Sequence, residues 1–210
     1  MNFHRIACFL LAMSCLMCSG CVLALNSLGT DKDIVFKDEL LGTWVEPIKE
    51  EDQKTAKTER RESWRFAKRG ENQYLLTIAK RGEKPSSDGF EAQLIELDKQ
   101  LYLQIRPDKE TFEKNYSKKA AELAEFFMIR GYFVYKVVQL NEKFQLTAWK
   151  IKELEEFLEA NPKAVPYQVV DDKCVFTGTT EQLQVFFKDP KTVALWEEPG
   201  EGFMVKASAK

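Results

Sequence analysis

The chain predicts a mainly β domain (α+β): an antiparallel meander of about eight to ten strands, closing into a barrel or half-barrel, with two to three helices inserted in the second half. Three observations predict it. Apolar and polar residues alternate in Ser63–Lys68, the period-two sign of a half-buried strand, and Tyr74–Ala79 reads as the strand that follows it in the meander. Turn signals fall at short intervals between such runs, at Gly70-Glu71-Asn72, Asp98-Lys99-Gln100, Asn141-Glu142 and Asp171-Asp172. Helical periodicity is confined to the chain after Pro107. Short strands joined by local turns favour closure, because a closed sheet exposes no edge.

The elements follow in order. Asn26–Lys37 has the polar composition of a tether, and order begins at Phe36–Leu41. Leu41–Val45 opens the first strand and Pro47 ends it; Lys49–Arg61 is charged, without apolar period, and reads as a loop. In Ser63–Lys68, Trp64 and Phe66 face inward and Arg65 outward; in the next strand Tyr74, Leu76 and Ile78 share a face. Arg81–Gly89 is a loop, and Phe90–Leu97 with Leu101–Ile105 is a hairpin. Phe112, Tyr116, Ala120, Leu123 and Phe127 place a long helix over Lys109–Arg130, ended by Gly131. Tyr132–Leu140 and Lys143–Trp149 form another hairpin. Ile151, Leu154, Phe157 and Leu158 mark a short helix closed by Asn161-Pro162. Tyr167–Val170 and Lys173–Thr177 are short strands; Thr179 with Gln182 is a capping box opening a helix that Asp189-Pro190 ends. Val193–Trp196 and Phe203–Lys206 finish the sheet.

Composition excludes several chemistries. The one histidine is His4, so the chain beyond the N-terminal segment has no His base, His metal ligand or Ser-His and Cys-His pair. Of five cysteines, Cys8, Cys15, Cys18 and Cys21 lie in the first 21 residues, and Cys174 reads as a small buried hydrophobe. Glu155-Glu156, Asp171-Asp172 and Glu197-Glu198 are adjacent carboxylates. Two carboxylates acting on one substrate must face one cleft, and neighbours on a strand point to opposite faces. No Asp-x-Asp-x-Asp spacing supports calcium. The reading is a non-enzyme with no catalytic residue, metal or cofactor.

Without residues 1–20 the chain has 190 residues and a net charge of −3, which suits one domain and gives no reason to expect nucleic acid. Lys54–Arg69 carries seven bases against two acids, and Glu153–Lys210 eleven acids against six bases. Solvated faces account for both runs; the basic one also suits anionic headgroups.

Residues 1–21 hold Arg5, an apolar run from Ile6 to Met17, and Ser19-Gly20-Cys21, the layout of a secretory signal. Ser19-Gly20-Cys21 resembles the lipobox of bacterial lipoproteins. The resemblance implies cleavage before Cys21 and acylation of that cysteine. Val22, which stands where an Asp favours inner-membrane retention, implies an outer-membrane, lipid-anchored protein. The domain plan is then 1–20 signal peptide, 21–37 lipidated N-terminus and tether, and 38–210 a single β-rich domain. Two other readings stay open: cleavage after Ala24, giving a secreted or periplasmic protein, and an uncleaved membrane helix over Ile6–Leu25.

Gly42-Thr43-Trp44 resembles the Gly-x-Trp of the lipocalin/calycin barrels, which implies a calycin-like shape. That family pairs the Trp with an Arg from late in the barrel, and here no Arg follows Arg130. Four Trp, fifteen Phe and six Tyr supply more aromatic surface than a minimal core requires. Trp44, Trp64, Phe66 and Tyr74 are the candidate walls of an apolar or lipid-like ligand site. Against this stands a filled aromatic core, which leaves a protein-interaction or envelope-scaffold module; a carboxylate-dependent hydrolase ranks third.

Overall fold

The computed structural model describes residues 22–47, 62–80, 89–110, 131–171, 173–200 and 202–207. Among the described residues twelve strands form one sheet: β1 (Leu23–Ala24), β2 (Ile34–Val35), β3 (Gly42–Val45), β4 (Glu62–Lys68), β5 (Tyr74–Lys80), β6 (Gly89–Leu97), β7 (Gln100–Pro107), β8 (Tyr132–Leu140), β9 (Lys143–Thr147), β10 (Tyr167–Val170), β11 (Lys173–Phe176) and β12 (Met204–Lys206). Eight of them, in the order β8-β7-β6-β5-β4-β3-β12-β9, close through β9 back onto β8. The result is a mainly β fold, an antiparallel eight-stranded barrel with helices in its C-terminal half, compatible with a calycin-like shape.

Closure leaves one edge of β8 shared. Tyr132–Phe133 pair with β1, whereas Lys136–Leu140 pair with β9, and a bulge between Val137 and Gln139 interrupts the second ladder. Through β1 the sheet continues outside the barrel to β11 and β10. β6 divides in the same way. Its first half pairs with β5, and its second half, past the end of β5, pairs with β2.

The stretch Asn26–Lys37 is therefore not a tether. β2 is hydrogen-bonded into the sheet, and Leu28 is fully buried. Its anchor is Gln104, a buried amide on β7 that accepts from the Leu28 N–H at 3.0 Å and donates to Ser27 Oγ at 2.9 Å and Gln93 Oε1 at 2.8 Å. A polar composition hid this, because the segment buries little of its own length and is held by side chains of the barrel.

A 3-10 turn, Asp38–Leu40, precedes β3 and carries Leu40 into the barrel. Gly42 then starts the strand at φ 113, a backbone conformation that an L side chain resists. Inside the barrel, Trp44 donates its indole N–H to the Leu40 carbonyl at 2.9 Å. Lys206 on β12 lies over the Trp44 ring, Nζ 5.3 Å from its centroid.

A second core lies on the outer face of β6, β7 and β8. Ile95, Leu97, Tyr102 and Val134 point outward there, against α1 (Ile151–Ala160), α2 (Thr180–Lys188) and β11. Trp149 and Trp196 stack at 3.9 Å across an isolated bridge, and Phe176, Phe186 and Phe187 surround Trp149. The capping box is present: Thr179 Oγ1 accepts from the Gln182 N–H, and Gln182 Oε1 from the Thr179 N–H. Two expectations fail here. Val193–Trp196 is not a strand: Asp189 caps a further helical turn, α3 (Pro190–Val193), in which Pro190 takes the first position, where its missing N–H costs nothing. β9 ends at Thr147, and Trp149 leaves the barrel for the outer core. The loop expected at Lys49–Arg61, most of the loop at Arg81–Gly89 and all but the first two residues of the helix expected at Lys109–Arg130 lie outside the described residues, as does Cys21.

Candidate functional site

The inward face of the barrel is divided along its length. Trp44, Tyr74, Leu76, Leu94 and Leu103 are each 0% exposed, and Phe66 and Phe144 are 2% exposed. A side chain with no accessible surface has no room for even a water molecule beside it, so this layer is solid. It is bound together by rings. Phe144 on β9 lies 5.5 Å from Trp44, 6.2 Å from Trp64 and 5.6 Å from Phe66, in tilted and edge-on contacts. Phe66 meets Tyr74 edge-on at 6.2 Å, and Phe36 stacks on Tyr74 at 4.7 Å. The Tyr74 hydroxyl accepts from the Lys37 N–H at 2.6 Å and donates to the Lys37 carbonyl at 3.1 Å. Burial pushes that phenol up to about 12.

Towards the other end the inward residues change character. Trp64 on β4, Ile78 on β5, Phe90 on β6 and Phe133 and Tyr135 on β8 face the same interior yet are only partly buried. All belong to the strand ends from which the chain passes between β3 and β4, β5 and β6, and β7 and β8. Water reaches the inside of a closed barrel through its ends, so among the described residues these inward side chains are the ones solvent meets here, as it meets Leu101 and Leu140 at the opposite strand ends.

The structure thus gathers the four candidate wall residues and separates their roles. Trp44, Phe66 and Tyr74 make the floor. Trp64 alone belongs to the mouth. Trp44 and Trp64 are cross-strand partners, but their indoles part: Trp44 bonds toward Leu40, and Trp64 donates to the Glu62 carboxylate at 2.7 Å. Ile78, Phe90, Phe133, Tyr135 and the floor residue Phe144 were not singled out from sequence. Alternation alone marked Ile78 as inward, and nothing local distinguished a residue of the mouth from one of the floor.

The other singled-out groups disperse. Cys174 is buried, and desolvation, with a smaller contribution from the Glu155 charge, pushes its thiol up to about 12, as befits a packed, unreactive side chain. Asp171 sits at the β10–β11 turn with φ 49, the turn role expected of it. Glu197 and Glu198 are exposed. Among the described residues no group of three His, Cys, Asp or Glu is placed to hold a metal ion. Of the seven bases in Lys54–Arg69, three are described: Arg65 is exposed, Lys68 lies over the Phe36 ring at 4.7 Å, and Arg69 is ion-paired with Asp108 and Glu110.

Compared with protein-family models, curated proteins and solved structures, the chain matches none of them.

Proposed function

We propose that this is a non-catalytic, lipid-anchored protein of the bacterial envelope that takes an apolar, lipid-like ligand at the mouth of its barrel. One observation carries the ligand reading: among the described residues, partly exposed Trp64, Ile78, Phe90, Phe133 and Tyr135 line the interior beside a buried aromatic layer. A partly exposed apolar lining beside a packed layer suits the tail of an acyl chain or another slender hydrophobe.

The anchor reading draws support from β1. Leu23 and Ala24 are paired on one side with β8 and on the other with β11, and Val22 and Ala24 are buried. Cleavage after Ala24 removes the strand that joins the barrel to β10–β11, and a membrane helix through Leu25 requires the same residues to leave the sheet. Cleavage before Cys21 keeps β1 whole and places the acylated cysteine next to it. Acylation by more than one chain would hold the protein stably on the outer membrane.

The test is native mass spectrometry of the purified domain, followed by titration with a fatty acid while tryptophan emission is read. A co-purifying species of lipid mass, displaced by the added acid with a shift in emission, supports the ligand site. Trp64→Ala should then weaken binding about tenfold or more, since it removes a large apolar contact. A ligand-free protein whose emission ignores every lipid moves the assignment to the second reading, an envelope interaction module. The solid floor favours that reading.

A further inference from the structure

Between Cys21 and the fold there is no slack. Val22 is buried and the next residue already belongs to β1. β1 runs parallel to β11 with Leu23 opposite Val175, which sets Val22 level with Cys174; Cys174 in turn faces Val169 on β10. Val169 therefore lies two strand spacings from the point where the chain joins the sheet, about 10 Å. β10 is the outermost strand of the sheet, and its hairpin turns at Asp171. Beside that turn Val169 is 64% and Val170 38% exposed, two consecutive large apolar side chains on opposite faces of one edge strand. In water such an edge invites aggregation.

We infer that in the lipid-anchored protein the β10–β11 turn beds into the membrane interface beside Cys21, with Val169 and Val170 at the acyl boundary. The inference rests on acylation of Cys21 as proposed above. The bilayer is the occupant because the anchor fixes it there: acyl chains on the residue preceding Val22 hold the headgroup layer within a few residues' reach of this turn. The short connection also keeps the effective concentration of the surface high. Asp171, Asp172 and Lys173 sum to one negative charge, so the surface it suits is zwitterionic rather than anionic.

The test uses the full protein, processed in cells and purified with its N-terminus intact. Val169→Cys is labelled with an environment-sensitive fluorophore; buried Cys174 stays unlabelled. Glu46→Cys is the reference, since Glu46 follows the C-terminal end of β3, which runs in the same sense as β1 and so ends far from the β10–β11 turn. In phosphatidylcholine vesicles the label at 169 should shift to shorter wavelength and become about threefold less accessible to aqueous iodide than the label at 46, with Val170→Cys behaving likewise. Equal quenching of the two positions in acylated, vesicle-bound protein overturns the inference and leaves the anchor standing. A mass for the N-terminal peptide that lacks acyl chains removes the anchor, and the inference with it.

Discussion

Replacing Phe144 by Ala tests the division between floor and mouth most directly. Phe144 is 2% exposed and touches the rings of Trp44, Trp64 and Phe66, so it joins β9 to β3 and β4 across the interior. Truncating a buried Phe costs about 3–5 kcal/mol, from lost transfer energy and the cavity left behind. Each aromatic pair adds about 0.5–1.5 kcal/mol beyond buried area, and three are broken here, which sets the expected loss near the top of that range, at about 4–5 kcal/mol. In a chain of this size each kcal/mol moves Tm by about 2–4 °C, so Tm should fall by about 8–20 °C. Urea unfolding followed by circular dichroism gives the free energy, with an unchanged m-value confirming that compactness is kept. Phe144→Leu, which retains most of the volume, should lose only about 1–2 kcal/mol. A loss below about 1.5 kcal/mol for the alanine variant would show that this layer is not solid, and the floor would then have to be counted as ligand space.

Other predictions follow from the same contacts. Gln104→Leu leaves the buried Leu28 N–H without its acceptor and should cost about 1–3 kcal/mol, with hydrogen exchange accelerated first at residues 27–35. In Gly131→Ala the new Cβ would collide with the Leu23 side chain; β1 should be displaced, and limited proteolysis should cut at residues 22–25 several times faster than in the parent. Thr179→Ala removes half of the capping box of α2 and should lower stability by about 1 kcal/mol in the same urea assay. Alkaline pH should unfold the protein in a defined order. The Cys174 thiol is raised from 9.0 to about 12, and the Tyr74 and Tyr102 phenols from 10.0 to about 12, all chiefly by burial. The unfolded chain loses these protons first, so the stability they represent is complete below pH 9 and declines as pH rises towards 12, by about 1.4 kcal/mol per pH unit for each group. Cys174→Ala should therefore delay the onset of the decline from about pH 9 to about pH 10, read from urea midpoints across that range.

The strands from β4 to β9 were legible because each buries one face, and burial on one face writes alternation into the sequence. Trp64 and Phe66, Tyr74 and Leu76, and Leu101 and Leu103 all point inward as their spacing requires. α2 was legible for a different reason, since Thr179 and Gln182 act on one another within a single turn. What escaped were elements whose reason for existing is elsewhere in the chain. β1 and β2 are two residues each, too short to show any period, and they exist because β8 and β6 leave half an edge unpaired. Trp149 and Trp196 read equally well as strand residues, and only the helices covering the outer face of the barrel explain why they leave it.

The candidate site shows the same limit more sharply. Trp44 and Trp64 have the same residue type, lie on adjacent strands and are direct cross-strand partners, so no local pattern separates them. Their difference comes from the ends of the barrel. Below Trp44 the chain folds back as the Asp38–Leu40 turn and offers a carbonyl to the indole. Trp64 turns instead toward Glu62, and its ring stays partly exposed. On the proposed reading, the ligand meets Trp64 and not Trp44. That predicts an asymmetry: Trp64→Phe should weaken ligand binding severalfold while costing less than about 1.5 kcal/mol, whereas Trp44→Phe, which loses the Leu40 hydrogen bond in a fully buried place, should cost about 2–3 kcal/mol and leave binding within twofold. Equal effects of the two substitutions on binding would mean that the ligand reaches the floor, or that it does not enter the barrel.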